Sequence, residues 1–243
     1  MNGQPLLSVE GLVKRFAGFV ALSEIRLDVA PGERLGLIGP NGSGKTTLIN
    51  CISGLLRPEQ GRITYDGRAI TRLAAFQRTR MGIARSFQIP RPFRSMTVFE
   101  NLMVPLDYVA HRGQLRDAGA EAEARELLAQ MGLADKADAF AHSLTQVDLR
   151  KLELARALAA RPKLLISDEA MAGLSSAEIE EVLALLWRLN ATGITVIMIE
   201  HIMSAVMRFS ERVICLDAGK IICEGTPAEM VANPEVRRAY LGA

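Results

Sequence analysis

Cysteine is scarce: Cys51, Cys215 and Cys223 are the three in 243 residues. Odd in number and without a C-x-x-C pair, they predict reduced thiols rather than a disulfide framework. Long apolar runs are missing too. Crossing a bilayer takes about 18 apolar residues, and the longest candidates, such as Ile194–Ile199, are strand-sized. The opening Met1-Asn2-Gly3-Gln4-Pro5 has neither the basic nor the apolar stretch of a secretion signal. Charge of one sign is absent as well: 29 Lys and Arg against 27 Asp and Glu leave +2, no general reason for a polyanionic partner. These absences predict a cytoplasmic chain that serves a membrane, if at all, through a partner.

What is present is ordinary for a folded domain, with 49% apolar and 23% charged residues. The length suits one α/β domain carrying an insertion. Ile25, Leu27 and Val29 alternate with Arg26 and Asp28, which predicts a half-buried strand. Arg34–Ile38 is a short apolar run, Thr46–Ser53 can be helical with Gly54 as its stop, and Ile83–Phe87 fits another strand. Val98–Tyr108, Glu121–Met131 and Leu149–Ala160 read as helices with no strand between them. The βα rhythm resumes at Leu164–Ser167, a helix over 176–191 opened by a Ser175/Glu178 capping box, and Thr195–Ile199. Arg212–Asp217 and Ile221–Glu224 predict a hairpin about Ala218-Gly219, and Thr226-Pro227 starts a short helix. The expectation is a mostly parallel sheet flanked by helices: a core over 1–91 and 151–243, interrupted by a helical subdomain over 92–150.

The strongest chemical signal is Gly39-Pro40-Asn41-Gly42-Ser43-Gly44-Lys45-Thr46-Thr47, which fits G-x-x-x-x-G-K-[ST] between a strand and a helix. Glycines let successive backbone N–H groups face one concavity around a triphosphate. Lys45 then reaches the β- and γ-phosphate oxygens, Thr46 offers its hydroxyl to Mg²⁺, and the helix N-terminus favours the negative charge. Leu164-Leu165-Ile166-Ser167-Asp168-Glu169 supplies what such a loop lacks. Asp168 can serve the metal and Glu169 can polarise an attacking water; the plainer reading is two carboxylates capping the next helix. Ser167, alone among apolar neighbours, is expected to hydrogen-bond within its surroundings.

Over essentially its whole length the chain resembles the ATP-binding subunits of ABC transporters, most of all those of branched-chain amino acid importers. Ser86-Phe87-Gln88 with Met96-Thr97-Val98-Phe99-Glu100-Asn101-Leu102 is similar to the Q-loop region. Glu153-Leu154-Ala155-Arg156-Ala157-Leu158 resembles the helix after the signature, and Ala172-Gly173-Leu174-Ser175 the D-loop. Glu200-His201 matches the switch histidine, and Asn233-Pro234 with Ala239-Tyr240-Leu241-Gly242 the tail of these subunits. The resemblance implies an α/β P-loop NTPase of RecA-like type, with an antiparallel β subdomain and an inserted α-helical subdomain. It implies that Gln88 touches Mg²⁺ or the attacking water, that His201 bonds the γ-phosphate and its water, and that Phe16 stacks on adenine. Ordinary strand packing is the alternative for Phe16, and a helix cap or surface residue the alternative for an isolated His.

One departure stands out. Where the family carries LSGGQ, this chain has Leu144-Thr145-Gln146-Val147-Asp148. Thr145 keeps a hydroxyl for a γ-phosphate on the opposite subunit, but Val147 replaces a glycine and Asp148 adds a charge of the wrong sign. A lost charge-assisted hydrogen bond costs ~1.5–3 kcal/mol, and a carboxylate ~4 Å from a phosphate ~1–4 kcal/mol. With the rest of the machinery intact, the resemblance then implies a heterodimer, in which this chain's ATP faces a normal signature on its partner.

The resulting expectation is an ATP hydrolase using ATP and Mg²⁺ in an import system for branched-chain amino acids or related amides. It would sit on the inner face of the membrane through transmembrane permease subunits, with a second ATP-binding subunit and, indirectly, a periplasmic or extracellular binding protein. Seven arginines lie between Arg68 and Arg94, but the aromatics among them are only Phe76, Phe87 and Phe93 and the net charge is small; they predict a solvated face, with a few bonding helix ends or a membrane partner, not a nucleic-acid site. The apolar stretch Met96–Val104 resembles the surface where a permease coupling helix docks; packing of the helical subdomain is the alternative. A lipopolysaccharide-type exporter ATPase and a nucleotide-dependent assembly module with little turnover stand as alternative functions.

Overall fold

The computed structural model describes residues 4–87, 90–110 and 118–241. β1 (Leu7–Phe16) and β2 (Phe19–Val29) form an antiparallel hairpin across Ala17-Gly18, both at positive φ, as a tight two-residue turn requires. β4 (Gln60–Tyr65) pairs with the free side of β1, and β5 (Arg68–Ala69) turns back on β4 at Asp66-Gly67. The resulting antiparallel sheet has the order β2-β1-β4-β5. Ile25, Leu27 and Val29 are buried while Arg26 and Asp28 are exposed, as their alternation predicts.

The second sheet joins β3 (Arg34–Ile38), β6 (Ile83–Ser86), β7 (Leu164–Asp168), β8 (Thr195–Ile199), β9 (Arg212–Asp217) and β10 (Lys220–Gly225) in the order β10-β9-β3-β8-β7-β6. β9, β3, β8, β7 and β6 run parallel; β10 is antiparallel at one edge. Both faces are covered, so the strands read as continuous apolar runs. Ile197 and Ile199 enter the core shared with α1 (Lys45–Ser53) and the antiparallel sheet. Val196 and Met198 enter the core shared with α3 (Val98–Pro105), α4 (Ala118–Gln130), α5 (Gln146–Ala159) and α6 (Ser176–Ala191). Between β6 and β7 the described residues form no strand of either sheet, but helices joined by turns and one isolated antiparallel bridge between Thr97 and Phe140.

The other α-helices are α2 (Ala75–Arg80), α7 (Met203–Phe209), α8 (Pro227–Ala232) and α9 (Pro234–Leu241), beside a π-helical turn at Leu106–Ala110 and 3₁₀ turns at Ala134–Lys136 and Ala141–Ser143. α2 escapes a periodicity reading because six residues are too few to show one. It carries Arg78, 1% exposed, whose guanidinium donates to the carbonyls of Cys51, Ile52, Thr71 and Leu73. One of the seven arginines of that stretch is therefore an internal cap on the last turn of α1. α5 starts at Gln146 rather than Leu149, because Thr145 caps it, and so runs continuously across residue 150.

Candidate active site

β3 ends at Ile38, and at Gly39 the chain must turn sharply beneath β9. Gly39 has φ 148°, and a Cβ there would lie 2.1 Å from the Leu216 carbonyl oxygen. Gly42 (φ 80°) and Gly44 (φ 108°) continue the bend, and a Cβ at 44 would meet the Ala21 carbonyl at 2.7 Å. At 39 and 44 an L side chain is excluded on steric grounds, whereas at 42 the space is open and the positive φ alone favours glycine. α1 then begins at Lys45 with no side-chain cap and no acid in its first turn. By contrast α3, α6 and α8 start at Thr97, Ser175 and Thr226, whose hydroxyls accept the N3 amide. The first amides of α1, and the positive end of its dipole, are thus left for an anion.

A cavity of about 240 Å³ opens over this bend, lined by Asn41 to Thr47, Glu169, His201, Ala21, Phe16 and Phe19. Lys45 is buried and folds back, its ammonium donating to the carbonyls of Gly39 (2.6 Å) and Pro40 (3.0 Å). Burial pulls its pKa below the ordinary lysine value, against the opposing charges of Glu169, Cys215 and Asp168. Glu169 follows β7 at positive φ (48°), and its amide is tied to the Ile199 carbonyl. That geometry turns its carboxylate to His201, whose Nε2 lies 2.7 Å from Oε1. Residues 32 positions apart thus meet at the ends of adjacent strands, β7 and β8.

Asp168 is brought to the same end of the sheet but does not line the cavity; its carboxylate is ion-paired with Arg85 at 2.6 Å. Phe16 reaches the cavity rim, 44% exposed, beside Phe19, 67% exposed, its register partner across the hairpin turn. Phe19 escaped the sequence reading, although two aromatics flanking Ala17-Gly18 are a legible pair. Gln88 lies outside the described residues. On either side of it, α5 holds the chain: Arg150 donates to the Phe87 carbonyl, and Glu153 and Arg156 grip the amide and carbonyl of Arg91. Arg150 also donates to the Ala172 carbonyl, while buried Glu200 accepts the Met171 amide at 2.8 Å. Burial pushes Glu200 up to about 7, with Glu169 adding to the shift and the Met171 amide and Arg150 opposing it.

Two expectations need correction. Ser167 Oγ is fully buried and has no hydrogen-bond partner among the described residues, because it points to the apolar layer shared with Ala84 and Met198. Asp148 does not project its charge: it is 4% exposed and accepts from Thr145 Oγ1 (2.6 Å) and Lys136 Nζ (2.7 Å). Burial alone would raise its pKa, but those two hydrogen bonds together with the charges of Lys136 and Lys151 outweigh it and hold the carboxyl below its ordinary range.

A family model described as "ABC transporter" matches residues 22–172, taking in the bend at 39–47, the buried β7 carboxylate and Glu169. The chain belongs to the ABC transporter family. A second model, "Branched-chain amino acid ATP-binding cassette transporter", matches residues 220–243 of the cassette. The cassette is 40% identical to the high-affinity branched-chain amino acid transport ATP-binding protein LivG of Salmonella typhimurium, over 98% of both chains. It is 36% identical, with the same coverage, to BraF of Pseudomonas aeruginosa, which bears the same description. A crystal structure of an ATP-binding cassette in its ADP conformation superposes with a TM-score of 0.89 and 31% identity, covering 99% of this chain and all of the other. The cassette is thus a P-loop ATP hydrolase of the ABC type, and no helix among the described residues is long and apolar enough to cross a membrane.

Proposed function

We propose that the cassette binds ATP with Mg²⁺ over the 39–47 bend and hydrolyses it to drive import of branched-chain amino acids or related amides. The observation that carries the chemistry is the Glu169–His201 pair at 2.7 Å, facing an uncapped helix N-terminus across one cavity. Among the described residues no cluster of three His, Cys, Asp or Glu side chains forms a metal cage. That suits Mg²⁺, which is held by few protein groups together with substrate phosphates. Thr46, Asp168 and Gln88 would hold it, and bound there it would neutralise charge on the β- and γ-phosphates. The backbone amides of 42–47 and Lys45 position the phosphates. Glu169 accepts the proton of the attacking water, and His201 orients Glu169 and the γ-phosphate. Phe16, with Phe19, offers rings to the adenine. Glu169→Gln should retain ATP binding and lose phosphate release; unchanged turnover would remove Glu169 from this role.

The transport assignment is supported by the LivG and BraF descriptions and by a groove of about 350 Å³ between α1–α2 and α3. Leu55, Phe87, Val104, Pro105, Tyr108 and Val109 are among its lining residues. It suits an apolar helix of a permease, which would place the cassette on the inner membrane face. Reconstitution with co-encoded permease chains and a binding protein, and uptake of labelled leucine, tests this.

A heterodimer is supported by the start of α5. Thr145 Oγ1 accepts the Asp148 amide and donates to its carboxylate, so the hydroxyl that would serve a partner's γ-phosphate is spent within the chain. α1 offers an open helix end; α5 offers a closed one. A partner with a regular signature would complete the site at residues 39–47. In a purified mixed dimer, Glu169→Gln should abolish turnover, whereas the equivalent change in the partner should spare most of it.

A further inference from the structure

Arg85, one of the seven arginines expected on a solvated face or at helix ends, instead buries its side chain and ties β6 to β7 and α1 beside the nucleotide site. Its guanidinium donates to Asp168 Oδ2 at 2.6 Å and to Asn50 Oδ1 at 2.6 Å. The side chains of Arg85 and Asp168 are each 8% exposed. The guanidinium carbon lies 5.1 Å from the centre of the Phe87 ring, and Nε has no hydrogen-bond partner among the described residues. Asn50 stands four residues after Thr46 on α1, hence on the same helix face one turn further in. The fork of Arg85 therefore fixes the β7 carboxylate against the face of α1 that presents Thr46 at its N-terminal end.

Buried carboxylates are costly without a fixed counter-charge. Asp168 has that partner in the protein itself, so its position does not depend on a bound metal. A planar fork, unlike a lysine, satisfies Asn50 and Asp168 at once and leaves the carboxylate one orientation. We propose that Arg85 is a positioning residue that holds Asp168 in place for Mg²⁺, and so sets how strongly the metal assists nucleotide binding. This rests on Asp168 serving the metal.

The test is equilibrium binding of a fluorescent ADP to the intact chain, in Mg²⁺ and in EDTA, for wild type, Arg85→Met, Asp168→Asn and the double variant. Loss of groups that orient metal ligands costs on the order of 10–100-fold in metal affinity. Arg85→Met is expected to lose on the order of tenfold of the tightening by Mg²⁺, with affinity in EDTA within about twofold of wild type. In the Asp168→Asn background the same change should add nothing. Arg85→Lys, carried through the same arms, serves if the Met variant melts before assay temperature. Equal weakening in Mg²⁺ and EDTA, or no change in either, would overturn the proposal. If Asp168→Asn itself keeps the full Mg²⁺ effect, the metal role of Asp168 fails and takes the proposal with it. If only the Arg85 variants are neutral, that role survives and the proposal does not.

Discussion

The Tyr240 hydroxyl accepts a hydrogen bond from the Gly39 amide at 2.6 Å, joining α9 to the first glycine of the phosphate loop across 201 positions of sequence. Gly39 is buried, and burial raises Tyr240 to about 12. Tyr240→Phe removes only the acceptor. An orphaned buried amide costs about 1–3 kcal/mol, so the variant should unfold at lower urea by that amount, while α9 keeps its apolar anchor Val236. Chemical denaturation of the two proteins checks this.

Glu169→Gln should leave nucleotide affinity within a few-fold and lower turnover by roughly 10²–10⁴-fold, the usual worth of a positioned base. Lys45→Ala should instead abolish binding, since the phosphates lose their fixed cation. Separate binding and phosphate-release assays distinguish the two.

Glu200 gives the fold a pH dependence. Its folded pKa of about 7 exceeds the ordinary 4.5, so the native state holds the proton more tightly than the unfolded chain. Stability therefore falls as pH rises from about 4.5 to 7, by on the order of 3 kcal/mol for this group alone. Glu200→Gln keeps an acceptor for the Met171 amide and carries no charge. It should match wild type at pH 4.5 and be the more stable protein at pH 8, as measured by urea melts at both.

Arg78→Met should be among the most destabilising single changes in the chain. It strips four carbonyls of their donor, two of them at the end of α1. A cost of about 3–5 kcal/mol is expected from losing such a network, read as a matching drop in urea midpoint.

Elements whose own residues announce them were legible: the expected range 176–191 coincides with α6, because Ser175 and Glu178 cap it reciprocally. The apolar strands of the parallel sheet and the 39–47 bend were equally plain. Asp168, Glu169 and His201 were placed through their strand ends, which topology brings side by side. What stayed hidden are long-range polar ties. Nothing local in Arg85 or Arg78 distinguishes it from a surface residue, and the tail motif around Tyr240 does not name its partner; each acquires meaning from a group 27 to 201 positions away. The start of α5 was missed for a different reason. Thr145-x-x-Asp148 stands where the family carries a phosphate-binding signature, whereas its side chains form a self-satisfied cap.

α5 has one more property. Its head bears the Thr145 cap, its flank grips Phe87, Arg91 and Ala172, and its tail returns the chain to β7, which ends at Asp168. A rod tied at so many points cannot pivot privately. A tilt imposed at its Thr145 end would therefore carry the segment leaving β6 at Phe87 and the segment following Glu169 at Ala172 in the same stroke.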